Sequence, residues 1–121
     1  MFLEHVNLTV SDLDRSVAFY CDLLDLEVRW KGAVDANRLG AHVGDDRCYL
    51  ALFQATADGA VEHDYLRPGV NHFGFVVDDL DATRRRAIEL GATFHLEADY
   101  EPGRRAYFMD PDGYEVELVE Y

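Results

Sequence analysis

Two histidines lie 67 residues apart in this chain, and each opens the same kind of phrase, "HVNLTVSDLD" from His5 and "HFGFVVDDLD" from His72. An imidazole ligates divalent metals and titrates near neutral pH, so it suits either metal binding or proton transfer. A carboxylate candidate stands near the C-terminus, where "DPDGYEVELVEY" carries Glu115 and Glu117. Two imidazoles and one carboxylate hold a divalent ion on one side and leave positions open on the other. A lone histidine in a strand is more often a satisfied polar residue than a ligand. What singles these two out is repetition at equivalent places, with a third donor expected on the same face.

The repeat dictates the architecture. From His5 to Asp14, five of ten positions match those 67 residues later: His5/His72, Val10/Val77, Asp12/Asp79, Leu13/Leu80 and Asp14/Asp81. Period-two alternation predicts a strand at the head of each copy. In the first, Val6, Leu8 and Val10 oppose His5, Asn7 and Thr9; in the second, Phe73, Phe75 and Val77 oppose His72, Gly74 and Val76. A helix follows each strand, with Ser11 or Asp12 and Asp78 or Asp79 as N-cap candidates. The first helix runs to about Leu24 and presents Leu13, Val17, Tyr20 and Leu24. The second presents Leu80, Ala87 and Leu90 and is capped at Gly91. Three short strands close each copy, roughly 27–30, 38–43 and 48–54, then 93–96, 104–109 and 114–120. The segment "QATADGAVEHDYLRPG" between the copies has linker composition. The expected fold is α+β, one domain over 1–121, with module one at about 1–56, a linker at about 57–69 and module two at about 70–121. Each module is βαβββ, and the pair forms a cupped mixed sheet with its helices on the outer face.

Strand parity then sorts the donors. The apolar sets must lie on the helices, so His5 and His72 face the other, concave side. On the last strand Val116 and Leu118 are the helix-facing pair, which puts Glu115 and Glu117 with the histidines. A buried carboxylate is costly unless paired, and a bound metal removes that cost.

Acidic and basic residues number 24 and 11, a formal charge of −13. Nucleic acid and anionic membranes are bound through Lys and Arg, so neither is expected as a partner. No apolar run approaches the ~20 residues of a membrane span. The opening residues lack the basic region of a signal peptide. Cys21 and Cys48 form no CxxC pair and read as small buried hydrophobes in a protein of the reducing cytoplasm.

These phrases resemble the vicinal oxygen chelate superfamily, which includes glyoxalase I, extradiol dioxygenases and the bleomycin and fosfomycin resistance proteins. The resemblance covers essentially the whole chain and rests most on "HVNLTVSDLDRSVAFYCDLLDLEV", "NHFGFVVDDLDATRRRAIELGA" and "FMDPDGYEVELVE". It implies paired βαβββ modules around a divalent metal, with ligands at His5, His72 and Glu117. The superfamily's fourth possible ligand falls within "RCYLALFQ", on Ala51 or, with a slip of one, on Leu52. Neither binds a metal, and Gln54 shares the helix side with Leu50 and Leu52. A glyoxalase I-like site uses four protein ligands. The three-ligand set looks instead like that of the extradiol dioxygenases, with Fe(II) favoured and Mn, Ni, Co or Zn as alternatives.

Under that resemblance the substrate is a small catechol-like vicinal diol that chelates at two open positions. Tyr107, ten residues before Glu117, falls at the spacing of a tyrosine that supports the metal site in such enzymes. His63 is the acid/base candidate, ahead of His42 and His95. Arg104 or Arg105 meets a substrate carboxylate, and Trp30, Tyr49 and Phe53 supply an aromatic wall. A homodimer with sites shared between chains is expected. Two alternatives stay open. One is a glyoxalase-like isomerase, lyase or epimerase working through a metal-bound enediolate, and the other is a metal-free resistance-type protein that binds a drug in the same cleft.

Overall fold

Each copy of the repeated phrase folds as a strand feeding a helix, and the computed structural model describes residues 1–121. The first unit contains β1 (His5–Val10), α1 (Leu13–Leu24), β2 (Glu27–Ala33), β3 (Leu39–Gly44) and β4 (Tyr49–Gln54). The second contains β5 (His72–Val76), α2 (Leu80–Glu89), β6 (Phe94–Tyr100), β7 (Gly103–Met109) and β8 (Glu115–Glu120). Their sheets share one topology, β1-β4-β3-β2 and β5-β8-β7-β6. The first and last strands of each unit run parallel, and the other pairs are antiparallel. This is βαβββ twice over, as the repeat predicts.

The caps show why helix follows strand at these places. Asp12 and Asp79 are extended and accept hydrogen bonds from Arg15 and Ala82 amides, satisfying donors that have no partner within the helix. A second bond ties each helix start to its sheet. Gln54 Oε1 accepts from Leu13 N at 2.9 Å, and Glu120 Oε2 accepts from Leu80 N at 2.7 Å. Gly91 takes the left-handed φ of 96° that ends α2, one position past Leu90.

Each core lies between its helix and one sheet face. In the first unit Leu8, Val10, Leu13, Phe19, Tyr20, Leu23, Val43, Leu50 and Leu52 are buried; in the second, Leu80, Ala87, Ala106, Phe108, Val116 and Leu118. α1 turns slightly from its expected face, burying Ser16, Phe19 and Leu23 while Val17 and Leu24 are only half-buried. Cys48 is a correction, because it is exposed in the β3–β4 turn, where its amide donates to Asp45. β2 and β6 outrun their expected ends, and each carries a bulge, between Val28 and Trp30 and between Phe94 and Leu96. The chain divides between Gly59 and Ala60, so residues 60–69 belong with the second unit. No helix is long and apolar enough to cross a membrane.

Candidate metal centre

β8 runs parallel to β5, with Glu115 opposite His72 and Glu117 opposite Gly74. β7 flanks β8 on its other side and sets Tyr107 opposite Glu117. Side chains paired across strands share a face, so all four groups project from the face turned away from α2. Glu117 gathers partners on both oxygens. Oε2 lies 3.1 Å from His72 Nε2, Oε1 lies 2.9 Å from Arg105 Nε, and the Tyr107 hydroxyl bonds to the same carboxylate. Burial first, then the Glu117 charge and hydrogen bond, push the Tyr107 phenol up to about 12, so it remains a protonated donor. Gly74 lies beside this carboxylate, and a β-carbon there would meet Cβ and Oε2 of Glu117 at 3.4 Å, an ordinary van der Waals contact.

These donors suit a divalent ion. Ligand atoms about 2.1 Å from one ion stand about 3.0–3.4 Å from each other, and the His72 and Glu117 donors are 3.1 Å apart. The second ring nitrogen of His72, Nδ1, is buried without a hydrogen-bond partner, a state in which the polar contacts of the ring are incomplete. His72 and Glu117 are a pair of donors and not a closed set, since no three His, Cys, Asp or Glu side chains are gathered around one point.

Beside this pair lies a group whose role sequence reasoning missed. Glu115 is only 3 % exposed, and Tyr65 donates to its Oε2 at 2.5 Å. His63 Nε2 stands 3.1 Å from that same oxygen, and His95 Nε2 stands 3.5 Å from Oε1. Burial first, then the bond to Glu115, push the Tyr65 phenol up to about 12. Parity put Glu115 on this face without a partner. The available signal was "EHDY", four polar or aromatic side chains within the expected linker.

In the first unit His5 heads β1 and stacks on Tyr49, with centroids 5.0 Å apart and planes at 16°. Tyr49 stacks on His42 at 4.5 Å, and Trp30 packs on His42 at 5.0 Å. One ring from each strand therefore forms a row in the order of the sheet. Glu4 bonds His5 Nδ1 at 3.0 Å, and the Arg29 guanidinium lies 4.9 Å over Tyr49. Burial first, then the neighbouring His5 and Arg29, hold His42 below the ordinary histidine range. Phe53 shares this face through its pairing with Thr9 and Gly40. Of the expected aromatic wall, Trp30 is the most open at 40 % exposure, whereas His5, His42 and Arg29 already crowd Tyr49.

Register answers the question of the missing ligand. Ala51 pairs with Asn7 just as Glu117 pairs with Gly74, so a methyl group stands where module two has its carboxylate. Gln54 is on the helix side, as parity predicts. The two arginines part company. Arg105 shares the open face with Glu117, while Arg104 points to the helix face and pairs with Asp81 at 2.9 Å and Glu120 at 3.8 Å. Adjacent residues on a strand face opposite ways, so the structure turns Arg104 away from the donors it was expected to accompany.

The comparisons with known proteins agree with this layout. A probable lactoylglutathione lyase of Synechocystis sp. is 30% identical, aligned over 99% of this chain and 95% of its own. The glutathione transferase FosA of Serratia marcescens is 32% identical over 96% of this chain and 78% of its own. Among solved structures, a glyoxylase/bleomycin resistance protein/dioxygenase domain from Frankia sp. EAN1pec superposes with a TM-score of 0.83 at 28% identity, covering 99% of this chain and 97% of that one. The family profile matches residues 2–118, and the chain belongs to the Glyoxalase/Bleomycin resistance protein/Dioxygenase superfamily.

Proposed function

We propose that this protein is a divalent-metal-dependent enzyme holding its ion through His5, His72 and Glu117, and that it cleaves the ring of a small catechol-like vicinal diol in the extradiol manner. The observation that carries this reading is the His72–Glu117 pair, 3.1 Å apart, combined with Ala51 where a fourth carboxylate would stand. A three-donor set leaves room for a bidentate oxygen ligand. The ion, with Fe(II) favoured, would act as Lewis acid and template for the two substrate oxygens and for O2. His5 would come from the same chain or from a second copy in a homodimer with shared sites.

The chain's own groups have definable work in this scheme. Arg105 balances the Glu117 charge and aims its carboxylate. Tyr107, kept protonated, donates a hydrogen bond at that carboxylate and beside the His72 ring, 5.5 Å away edge-on. His63 takes and returns the substrate proton. Trp30 and Phe53 provide apolar surface for the ring. A second reading, a glyoxalase-like lyase or isomerase, draws support from the lactoylglutathione lyase among the relatives.

The test is the metal content of anaerobically purified protein, measured by elemental mass spectrometry and repeated on His72→Ala. Near-stoichiometric iron that is lost in the variant, with oxygen uptake on catechols, supports ring cleavage. Nickel, zinc or manganese lost in the same way, without oxygen uptake, moves the assignment to the lyase or isomerase. Absence of metal after reconstitution refutes both and leaves a small-molecule binder.

A further inference from the structure

The segment expected to be a linker carries side chains into module two and places them next to the metal pair. His63 Nε2 bonds the backbone carbonyl of Asn71, the residue before His72. It also faces Glu115, the sheet partner of His72. The imidazole is therefore held by the residue before His72 and by the strand neighbour of His72. Both of its partners are acceptors only, a carbonyl oxygen and a carboxylate already receiving the Tyr65 hydroxyl at 2.5 Å. The proton of a neutral His63 must then sit on Nε2, which leaves the lone pair on Nδ1.

We infer that Glu115 and Tyr65 are positioning residues that hold His63 as a proton carrier beside the His72–Glu117 pair. The identity of the reaction rests on the metal-dependent reading above, but the geometry does not. In the step they serve, a substrate hydroxyl gives its proton to His63 Nδ1 while Nε2 keeps its own. The resulting imidazolium lies against the Glu115 carboxylate, and the proton later returns from Nδ1 to an oxygen of the product. A partner that fixes the tautomer and ring orientation of a histidine and stabilises its charged form is a recurrent device of acid/base sites. Docking a loop does not call for a carboxylate that is 3 % exposed and faced by two imidazoles and a phenol. An apolar contact would do that at lower desolvation cost.

Nitrogen–proton correlation spectra of the imidazoles in metal-free full-length protein come first. The expected result is His63 with its proton on Nε2 in the wild type, and a mixture of tautomers or broadened signals in Glu115→Gln. A proton on Nδ1 in the wild type, or an unchanged His63 spectrum in Glu115→Gln, overturns the inference. Kinetics follow on whichever substrate the metal-loaded protein turns over. His63→Gln should lower kcat about 10²–10⁴-fold with little change in KM. Glu115→Gln should lower kcat about 10–100-fold, with metal affinity within about twofold of wild type and partial recovery in Glu115→Asp. The double variant should be no slower than His63→Gln; fully additive losses would mean that Glu115 acts independently of His63. If no metal-dependent turnover exists, the proposed function falls, while the spectra still decide the placement of His63.

Discussion

Arg105 offers a sharp way to ask whether Glu117 holds an ion. Its guanidinium lies 2.9 Å from Glu117 Oε1, and the two side chains are 13 % and 15 % exposed. Removing one partner of a fully buried ion pair costs about 3–5 kcal/mol. Glu117 keeps its His72 and Tyr107 contacts and some water, so Arg105→Gln should cost nearer ~2 kcal/mol. A chain of 121 residues unfolds with an entropy of about 0.25 kcal/mol/K, which makes that loss about 8 °C in Tm. Metal binding should move the other way. Two like charges 4 Å apart at an effective dielectric of about 20 repel by about 4 kcal/mol per charge pair, so even a screened fraction of this is worth about tenfold in affinity. Arg105→Gln should therefore be less stable than wild type in EDTA, yet bind Mn(II) or Zn(II) about tenfold more tightly, with a larger metal-induced rise in Tm. Differential scanning fluorimetry with and without metal, and competition against a chromophoric chelator, read both quantities. An unchanged Tm in EDTA would show that the ion pair does not form in solution. An equal metal-induced shift in the two proteins would show that no ion binds beside Glu117.

Phe108→Ala removes a fully buried ring that packs against Phe94 at 5.1 Å, and should cost about 3–5 kcal/mol in urea unfolding; a loss under about 1 kcal/mol would contradict the core assignment. Tyr65→Phe deletes a hydrogen bond to a buried carboxylate, but Tyr65 is 55 % exposed, so about 1 kcal/mol is expected rather than the full value for a charged partner. The same variant should speed proteolysis within 57–69, and unchanged cleavage there would argue against the docked segment. Arg104→Gln tests the helix-side ion pair through pH. The Arg104 hydrogen bond, then its charge, holds Asp81 below the ordinary carboxylate range, so the folded state binds that proton less readily than the unfolded chain. The stabilisation is present above about pH 4 and fades as pH falls through the depressed value. The small Tm gap between wild type and Arg104→Gln should accordingly close on acidification and in high salt. A gap that widens at low pH would refute the pairing.

Much of the scaffold was legible because it depends on local chemistry. Asp12 and Asp79 announce helix starts through their side chains, and alternation in "HVNLTV" and "HFGFVV" fixes which face carries His5 and His72. The face of Glu117 follows from Val116 and Leu118 by the same parity. What escaped depends on pairing between distant residues. Arg104 and Arg105 look interchangeable until a strand boundary fixes parity, since a one-residue change sends a side chain to the opposite face. The choice between Ala51 and Leu52 needed the β1–β4 register, because the offset between modules is 67 residues at their first strands and 66 at their last. Residues 57–69 are polar and glycine-bearing, which reads as a tether. Nothing local reveals that His63 and Tyr65 find Glu115, fifty or so positions away.

The paired bonds at Gln54 and Glu120 have a consequence for how such a chain can change. Both residues sit at the end of a final strand and accept from the first helical amide, one through a neutral amide and the other through a carboxylate. The scaffold asks only for an acceptor oxygen there and is indifferent to charge. A symmetric pair of separate single modules must carry any substitution twice, once in each half. Joining the halves in one polypeptide lifts that rule. One half here keeps carboxylates at 115 and 117, and the other has Tyr49 and Ala51 in their places. Fusion thus lets a single mutation act on one half alone, so ligand chemistry and ring packing can drift apart while both halves retain the bond that joins helix to sheet.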